Sequence, residues 1–201
     1  MNTGSAYLDQ FYTYKGLTIV YGEPASGKTT LALLATLHHA RTGKVIFIDT
    51  EAGFSIERIK QLNPNAERLL QNVLYKHAKN FFKQGEAIKT MLALDGVDLV
   101  VIDTIGSHFR SEVKKDPEKM QQLLGWQIET LRKISKHIPV IITNQVYQDP
   151  KTGKIRMTAE RILKPWADLI IHLEKEPRRI RFERPEKEPV PFTITEKGIT
   201  Y

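Results

Sequence analysis

Short apolar runs recur along this chain, and stretches with helical spacing lie between them. Leu17-Thr18-Ile19-Val20-Tyr21, Val45-Ile46-Phe47-Ile48 and Pro139-Val140-Ile141-Ile142 are nearly continuous apolar runs, and Val97 to Ile102 is the most apolar stretch. Strands that read this way are covered on both faces, as in a parallel sheet. Val73-Leu74-Tyr75 reads as a weaker strand. Helical spacing predicts helices from Thr30 to about Arg41, near Ile56–Gln61, from Asn80 to Leu94 despite Gly85, and from Pro117 to His137. Gly43 sits at an expected helix stop, and Pro117 sits in a first turn, where its missing N–H costs nothing. Beyond Asp168, the runs Leu169–Leu173, Ile180–Glu183 and Phe192–Thr195 predict consecutive antiparallel strands. The pattern predicts an α/β fold: a mostly parallel twisted sheet with helices on both faces and a C-terminal antiparallel hairpin extension. It divides into an arm over 1–15, a core over 16–175 and a β extension over 176–201.

The polar residues that close these runs carry the chemistry. Gly22-Glu23-Pro24-Ala25-Ser26-Gly27-Lys28-Thr29 fits G-x-x-x-x-G-K-[ST], between a strand and a helix opened by Thr30. The glycines let the backbone bend and bring N–H groups to phosphate oxygens, and the helix N-terminus adds unpaired donors and partial positive charge. In this motif Lys28 reaches the β- and γ-phosphates, and Thr29 places its hydroxyl on Mg²⁺. The reading is of a nucleotide-binding protein.

In open α/β sheets, ligands sit beyond the carboxyl ends of the strands. Asp103 follows Leu99-Val100-Val101-Ile102 and is placed to hold Mg²⁺ through Thr29 or a water; the plainer reading is a turn former. Glu51 closes another strand and is placed to orient a water and take its proton, or else to complement a helix N-terminus. Gln145, in Asn144-Gln145, is placed to donate to a γ-phosphate and relay its presence into the following segment, or has no role at all.

Composition narrows the classes. The 201 residues contain no cysteine, which excludes disulfides, thiolate metal sites and cysteine nucleophiles. No stretch approaches 18 uncharged apolar residues, and Met1-Asn2-Thr3-Gly4-Ser5 lacks a leader pattern, so a cytoplasmic protein without membrane attachment is expected. A net charge of +7 suits a polyanionic partner without requiring one. The six histidines have no metal-binding spacing. Trp126 and Trp166 are expected in the core or in helix packing. Arg178-Arg179-Ile180-Arg181-Phe182 alternates as a half-exposed strand does, its charges on a solvated face or on nucleic acid.

Taken together, these residues resemble the RecA/RadA recombinase superfamily, and within it the short archaeal RadB-type, single-domain paralogues of RadA. The resemblance rests on the phosphate loop, Phe47-Ile48-Asp49-Thr50-Glu51, Glu57-Arg58-Ile59, Leu99-Val100-Val101-Ile102-Asp103 and Ile142-Thr143-Asn144-Gln145-Val146, and runs over nearly the whole chain. It implies a RecA-like P-loop ATPase core using ATP and Mg²⁺, with Glu51 as hydrolytic base, Gln145 as γ-phosphate sensor and Arg58 stacked on the adenine. It also implies two DNA-binding loops, near Gly106–Lys119 with Arg110, Lys114 and Lys115, and near Tyr147–Ile162 with Lys151, Lys154, Arg156 and Arg161. Acidic Glu112, Asp116 and Glu160 temper both.

The chain departs from the full recombinase pattern. An N-terminal helical DNA-binding domain is not expected, and Phe-x-x-Ala, by which RadA protomers join into filaments, does not occur. Phe11-Tyr12-Thr13-Tyr14 replaces a Gly-rich run, and Met157-Thr158-Ala159-Glu160-Arg161-Ile162 replaces a Gly-Gly pair. The expectation is tight ATP binding with slow hydrolysis, no filament from this chain alone, and no strand exchange by itself. Its partners would be DNA, single-stranded in the first instance, and a RadA-type recombinase or other repair protein. A second reading is a nucleotide-gated adaptor whose target is a protein. A third is a small-molecule P-loop kinase, for which no acceptor-binding lid is evident.

Overall fold

The computed structural model describes residues 15–91, 96–150 and 152–200. The elements follow in chain order: β1 (Leu17–Gly22), α1 (Lys28–His39), β2 (Lys44–Asp49), α2 (Ile56–Leu62), α3 (Ala66–Leu70), β3 (Val73–His77), α4 (Phe81–Thr90) and β4 (Val97–Asp103). Then come α5 (Ser107–Glu112), α6 (Pro117–Ser135), β5 (Val140–Gln148), β6 (Ile155–Met157), α7 (Glu160–Leu163), a 3₁₀ turn, β7 (Leu169–Lys175), β8 (Arg178–Arg184), β9 (Glu186–Pro191), β10 (Thr193–Thr195) and β11 (Gly198–Thr200).

The main sheet runs β3-β2-β4-β5-β1-β7-β8-β9. Its strands from β3 to β7 are parallel, and β8 and β9 add antiparallel strands. Two cores flank it. Val20, Phe47, Leu99, Val101 and Ile171 face α1, whereas Ile19, Ile48, Val100, Ile102 and Ile142 face α4 and α6. Strand periodicity sends alternate residues to opposite faces, and both faces are covered, so the apolar runs are unbroken.

Local chemistry sets the helix starts. Asp116 caps α6 by accepting from Lys119 N–H at 3.2 Å, ahead of Pro117. Asn80 and Ser55 cap α4 and α2 in the same way. Helix α1 is buried on most sides: the sheet covers one face, and Phe192 and Ile199 of the C-terminal segment join the same core.

The structure alters four expectations. The helix from Asn80 ends at Thr90, and residues 92–94 lie outside the described residues, as does Lys151. The C-terminal run does not form three successive strands of one sheet. An additional edge strand, β9, follows β8, and Thr193–Thr195 pairs with Gly198–Thr200 in a separate two-stranded sheet. Strand β9 reads Glu-Lys-Glu-Pro-Val-Pro; an edge strand tolerates its prolines. The two segments expected as DNA-binding loops are ordered elements: Gly106–Lys119 contains α5 and the start of α6, and Tyr147–Ile162 contains a β5–β6 hairpin and the start of α7. The hairpin closes through Asp149 and Gly153, whose φ of 67° suits glycine. Neither tryptophan is in the core: Trp126 is 40% exposed and packs between helices, its ring against Gly85 of α4, and Trp166 is 37% exposed. Among the described residues no helix is long and apolar enough to cross a membrane.

Candidate functional site

Strand register sets the site's floor. Gly22 pairs with Gln145 across β1 and β5, and Asp49 pairs with Asp103 across β2 and β4, so the strand ends form one row. A cavity of about 600 Å³ opens above it, lined by Pro24, Ala25, Gly27, Lys28, Thr29 and Thr30 together with Glu51, Arg58, Thr104, Gln145, Arg178, Ile194 and Thr195.

The loop from Gly22 to Gly27 turns through Ala25 at φ 62° and Gly27 at φ 107°. A β-carbon on Gly22 would lie 2.4 Å from the Leu173 carbonyl oxygen, so only glycine leaves β1 this way. Lys28 Nζ donates to the carbonyls of Gly22 at 3.0 Å and Glu23 at 2.7 Å. Burial pushes this ammonium below its ordinary value, while Asp103, Glu51 and Glu23 pull it up.

The donor set suits a polyphosphate. Helix α1 has no side-chain cap and no acid in its first turn, and the Ser26 hydroxyl is buried with no hydrogen-bond partner among the described residues. Thr29 Oγ1 donates to Asp103 Oδ2 at 2.8 Å, and Thr143 Oγ1 donates to the other oxygen. Burial pushes the Asp103 carboxyl up, the two hydroxyls oppose this, and Asp49 and Glu51 add to it. A hard divalent cation beside Thr29 would offset that buried charge.

Glu51 projects from a turn built by Asp49, a buried carboxylate whose role has no signature in the sequence. Asp49 accepts N–H bonds from Glu51, Gly53 and Phe54 at 2.9–3.2 Å, and the Tyr75 hydroxyl at 3.2 Å. Thr50 locks the same turn to the end of β4: its hydroxyl donates to Thr104 O at 2.8 Å and accepts from Thr104 N–H at 2.9 Å. Glu51 Oε1 accepts from Thr104 Oγ1 at 3.1 Å and from Gln145 Nε2 at 2.5 Å. Gln145 Oε1 in turn accepts from Arg110 at 2.7 Å. The Gln145 main-chain carbonyl accepts from Thr158 N–H at 2.9 Å, and Asn144 Nδ2 donates to Thr158 O at 2.7 Å, which fastens the hairpin segment to β5.

Arg58 lines the cavity from α2, but its guanidinium is engaged by the Thr195 and Glu196 carbonyls at 2.8 and 3.0 Å. The candidate DNA residues divide. Arg110 is bound to Gln145, Lys115 pairs with Glu112 at 3.0 Å, and Arg156 pairs with Asp149 at 3.2 Å. Lys114, Lys154 and Arg161 are exposed. The two segments face each other across a second cavity of about 430 Å³, lined by Phe109, Val113, Tyr147, Arg156, Glu160 and Arg161 among others. No cluster of three or more histidine or acidic side chains able to hold a metal occurs among the described residues.

The chain matches the Rad51 family over residues 1–199. It is 37% identical to the DNA repair and recombination protein RadB of Methanococcus maripaludis strain C7, with 92% of this chain and 91% of that protein covered. The RadB of Methanocaldococcus jannaschii is 36% identical over 91% of this chain and 92% of its own length. That of Thermococcus sibiricus is 36% identical over 99% and 94%.

Proposed function

Because this chain belongs to the Rad51 family, we propose that it is a RadB-like, ATP-dependent DNA repair and recombination factor that binds DNA and assists a RadA-type recombinase in the cytoplasm. The observation that carries this reading is the convergence of Lys28, the Thr29–Asp103 pair and the Glu51–Gln145 pair on one cavity. ATP would bind with its phosphates on the N–H groups of the 22–30 loop, with Lys28 and Ser26 as side-chain donors and Arg58 beside the base. Mg²⁺ on Thr29 Oγ1 and, through water, on Asp103 would neutralise phosphate charge. Glu51 orients the attacking water and accepts its proton, and Thr104 and Gln145 fix the carboxylate that does so. Arg110 and the exposed cations of the two charged segments supply the DNA contacts.

Titration with a fluorescent ATP analogue tests the nucleotide half of this reading. Wild-type protein should bind with Mg²⁺ and Lys28→Ala should lose at least tenfold in affinity; equal binding by the two would overturn it.

A second reading, a nucleotide-gated protein adaptor, is favoured by the ion pairs that already engage Lys115 and Arg156. A Lys28→Ala variant that keeps normal DNA affinity but loses a protein partner would select it.

A further inference from the structure

Arg178 belongs to no motif, yet it reaches the phosphate loop from 153 residues away in sequence. We infer that Arg178 supplies a second cation, from within the same chain, to the phosphates of a nucleoside triphosphate held at the loop. The inference rests on the nucleotide-binding reading above.

Three observations carry it. The first is position: Arg178 opens β8 and lines the same cavity as Lys28, Thr29 and Glu51, and its NH1 donates to the Ala25 carbonyl at 3.2 Å. The second is a fixed backbone. Arg178 pairs with Lys175 across the β7–β8 turn, and its carbonyl accepts the Phe192 N–H at 3.2 Å. Ile194, two residues on, packs against the loop so closely that a β-carbon on Gly27 would lie 2.9 Å from its Cδ1. The side chain therefore emerges from a braced edge of the cavity.

The third is spare bonding capacity. A guanidinium carries five N–H donors, and among the described residues Arg178 pairs with no carboxylate and makes the single bond to Ala25. Three other arginines of this region are engaged: Arg181 on Glu174, Arg184 on the Lys164 and Ala167 carbonyls, Arg58 on the C-terminal turn; Arg179, next in the strand, is exposed and does not line the cavity. A planar fork with open donors, half-buried beside a phosphate-binding loop, matches an anion with several terminal oxygens. Phosphoryl transfer needs such a charge, and it comes either from a neighbouring molecule or from the same chain. Here the chain carries its own.

Equilibrium titration of the full-length protein with fluorescent ATP and ADP analogues in Mg²⁺ tests this, using Arg178→Ala and Arg178→Lys with thermal melting of each. Arg178→Ala is expected to weaken ATP by about tenfold and ADP by clearly less, and Arg178→Lys to recover part of the ATP loss, all at melting temperatures near wild type. No loss in Arg178→Ala, or an equal loss for ATP and ADP, overturns the inference and leaves Arg178 a brace of the loop. Wild-type protein that binds neither nucleotide overturns the nucleotide-binding reading, and the inference with it.

Discussion

Gln145 Nε2 donates to Glu51 Oε1 at 2.5 Å while its own oxygen accepts from Arg110 at 2.7 Å. One amide thus spans β5, the Glu51 turn and α5, which lies in the first charged segment. An anionic ligand that drew Arg110 away would leave the Gln145 amide free to turn, and its bond to Glu51 free to break.

Arg110 and Gln145 should therefore act as one relay. Arg110→Ala is expected to lower affinity for single-stranded DNA severalfold, and Gln145→Ala to make ATP turnover the same with and without DNA. Turnover measured across a DNA titration checks both. DNA stimulation that persists in Gln145→Ala would contradict the relay.

Asp103 is buried, and burial holds its carboxyl above the ordinary value. With the folded pKa raised above the unfolded value of about 3.9, the proton favours the folded state. That stability is complete below the unfolded pKa and disappears as pH rises through the folded one. Above the folded pKa the ionised carboxylate is thus a cost. Asp103→Asn should melt higher than wild type at pH 7 to 8, the gap closing towards pH 4. The same variant should lose most of the extra stability that ATP with Mg²⁺ confers on wild type, as melting curves with and without the ligands will show.

His172 stacks on Tyr21 with ring centroids 4.5 Å apart and planes 1° apart. Burial lowers its pKa, Arg181 and Lys164 assist, and Glu183 and Glu174 oppose. A depressed folded pKa means that the unfolded chain binds the proton more readily. This contribution is present above the unfolded value of about 6.5 and is lost as pH falls through the folded pKa. The melting temperature of wild type should fall between pH 7 and 5, and His172→Phe, which keeps the stack, should flatten that slope. An unchanged slope would place the acid sensitivity elsewhere.

Much of the architecture was legible because strands covered on both faces leave unbroken apolar runs. β1, β2, β4 and β5 announce themselves, and the polar residue at each carboxyl end falls on one rim. The structure gathers Lys28, Thr29, Glu51, Asp103 and Gln145 there as the strand order requires. Strand β9 was not legible, because an edge strand of alternating charge and proline has the composition of a loop. The hairpin inside Tyr147–Ile162 was missed because β5 loses its apolar character at Asn144-Gln145 yet continues to Gln148. The contacts of Asp49 and Arg178 were not legible for a different reason. Most of their partners are backbone groups, the N–H donors of Glu51, Gly53 and Phe54 for one and the Ala25 carbonyl for the other, and such partners leave no side-chain pattern to read.

The most direct test is whether the Glu51 carboxylate turns over ATP in response to DNA. Steady-state ATP hydrolysis, with and without single-stranded DNA and with Glu51→Gln as the blank, measures this directly. Slow turnover that DNA raises, and that Glu51→Gln reduces to background while still binding nucleotide, is the predicted result. Turnover that Glu51→Gln retains, or that DNA leaves unchanged, would contradict it.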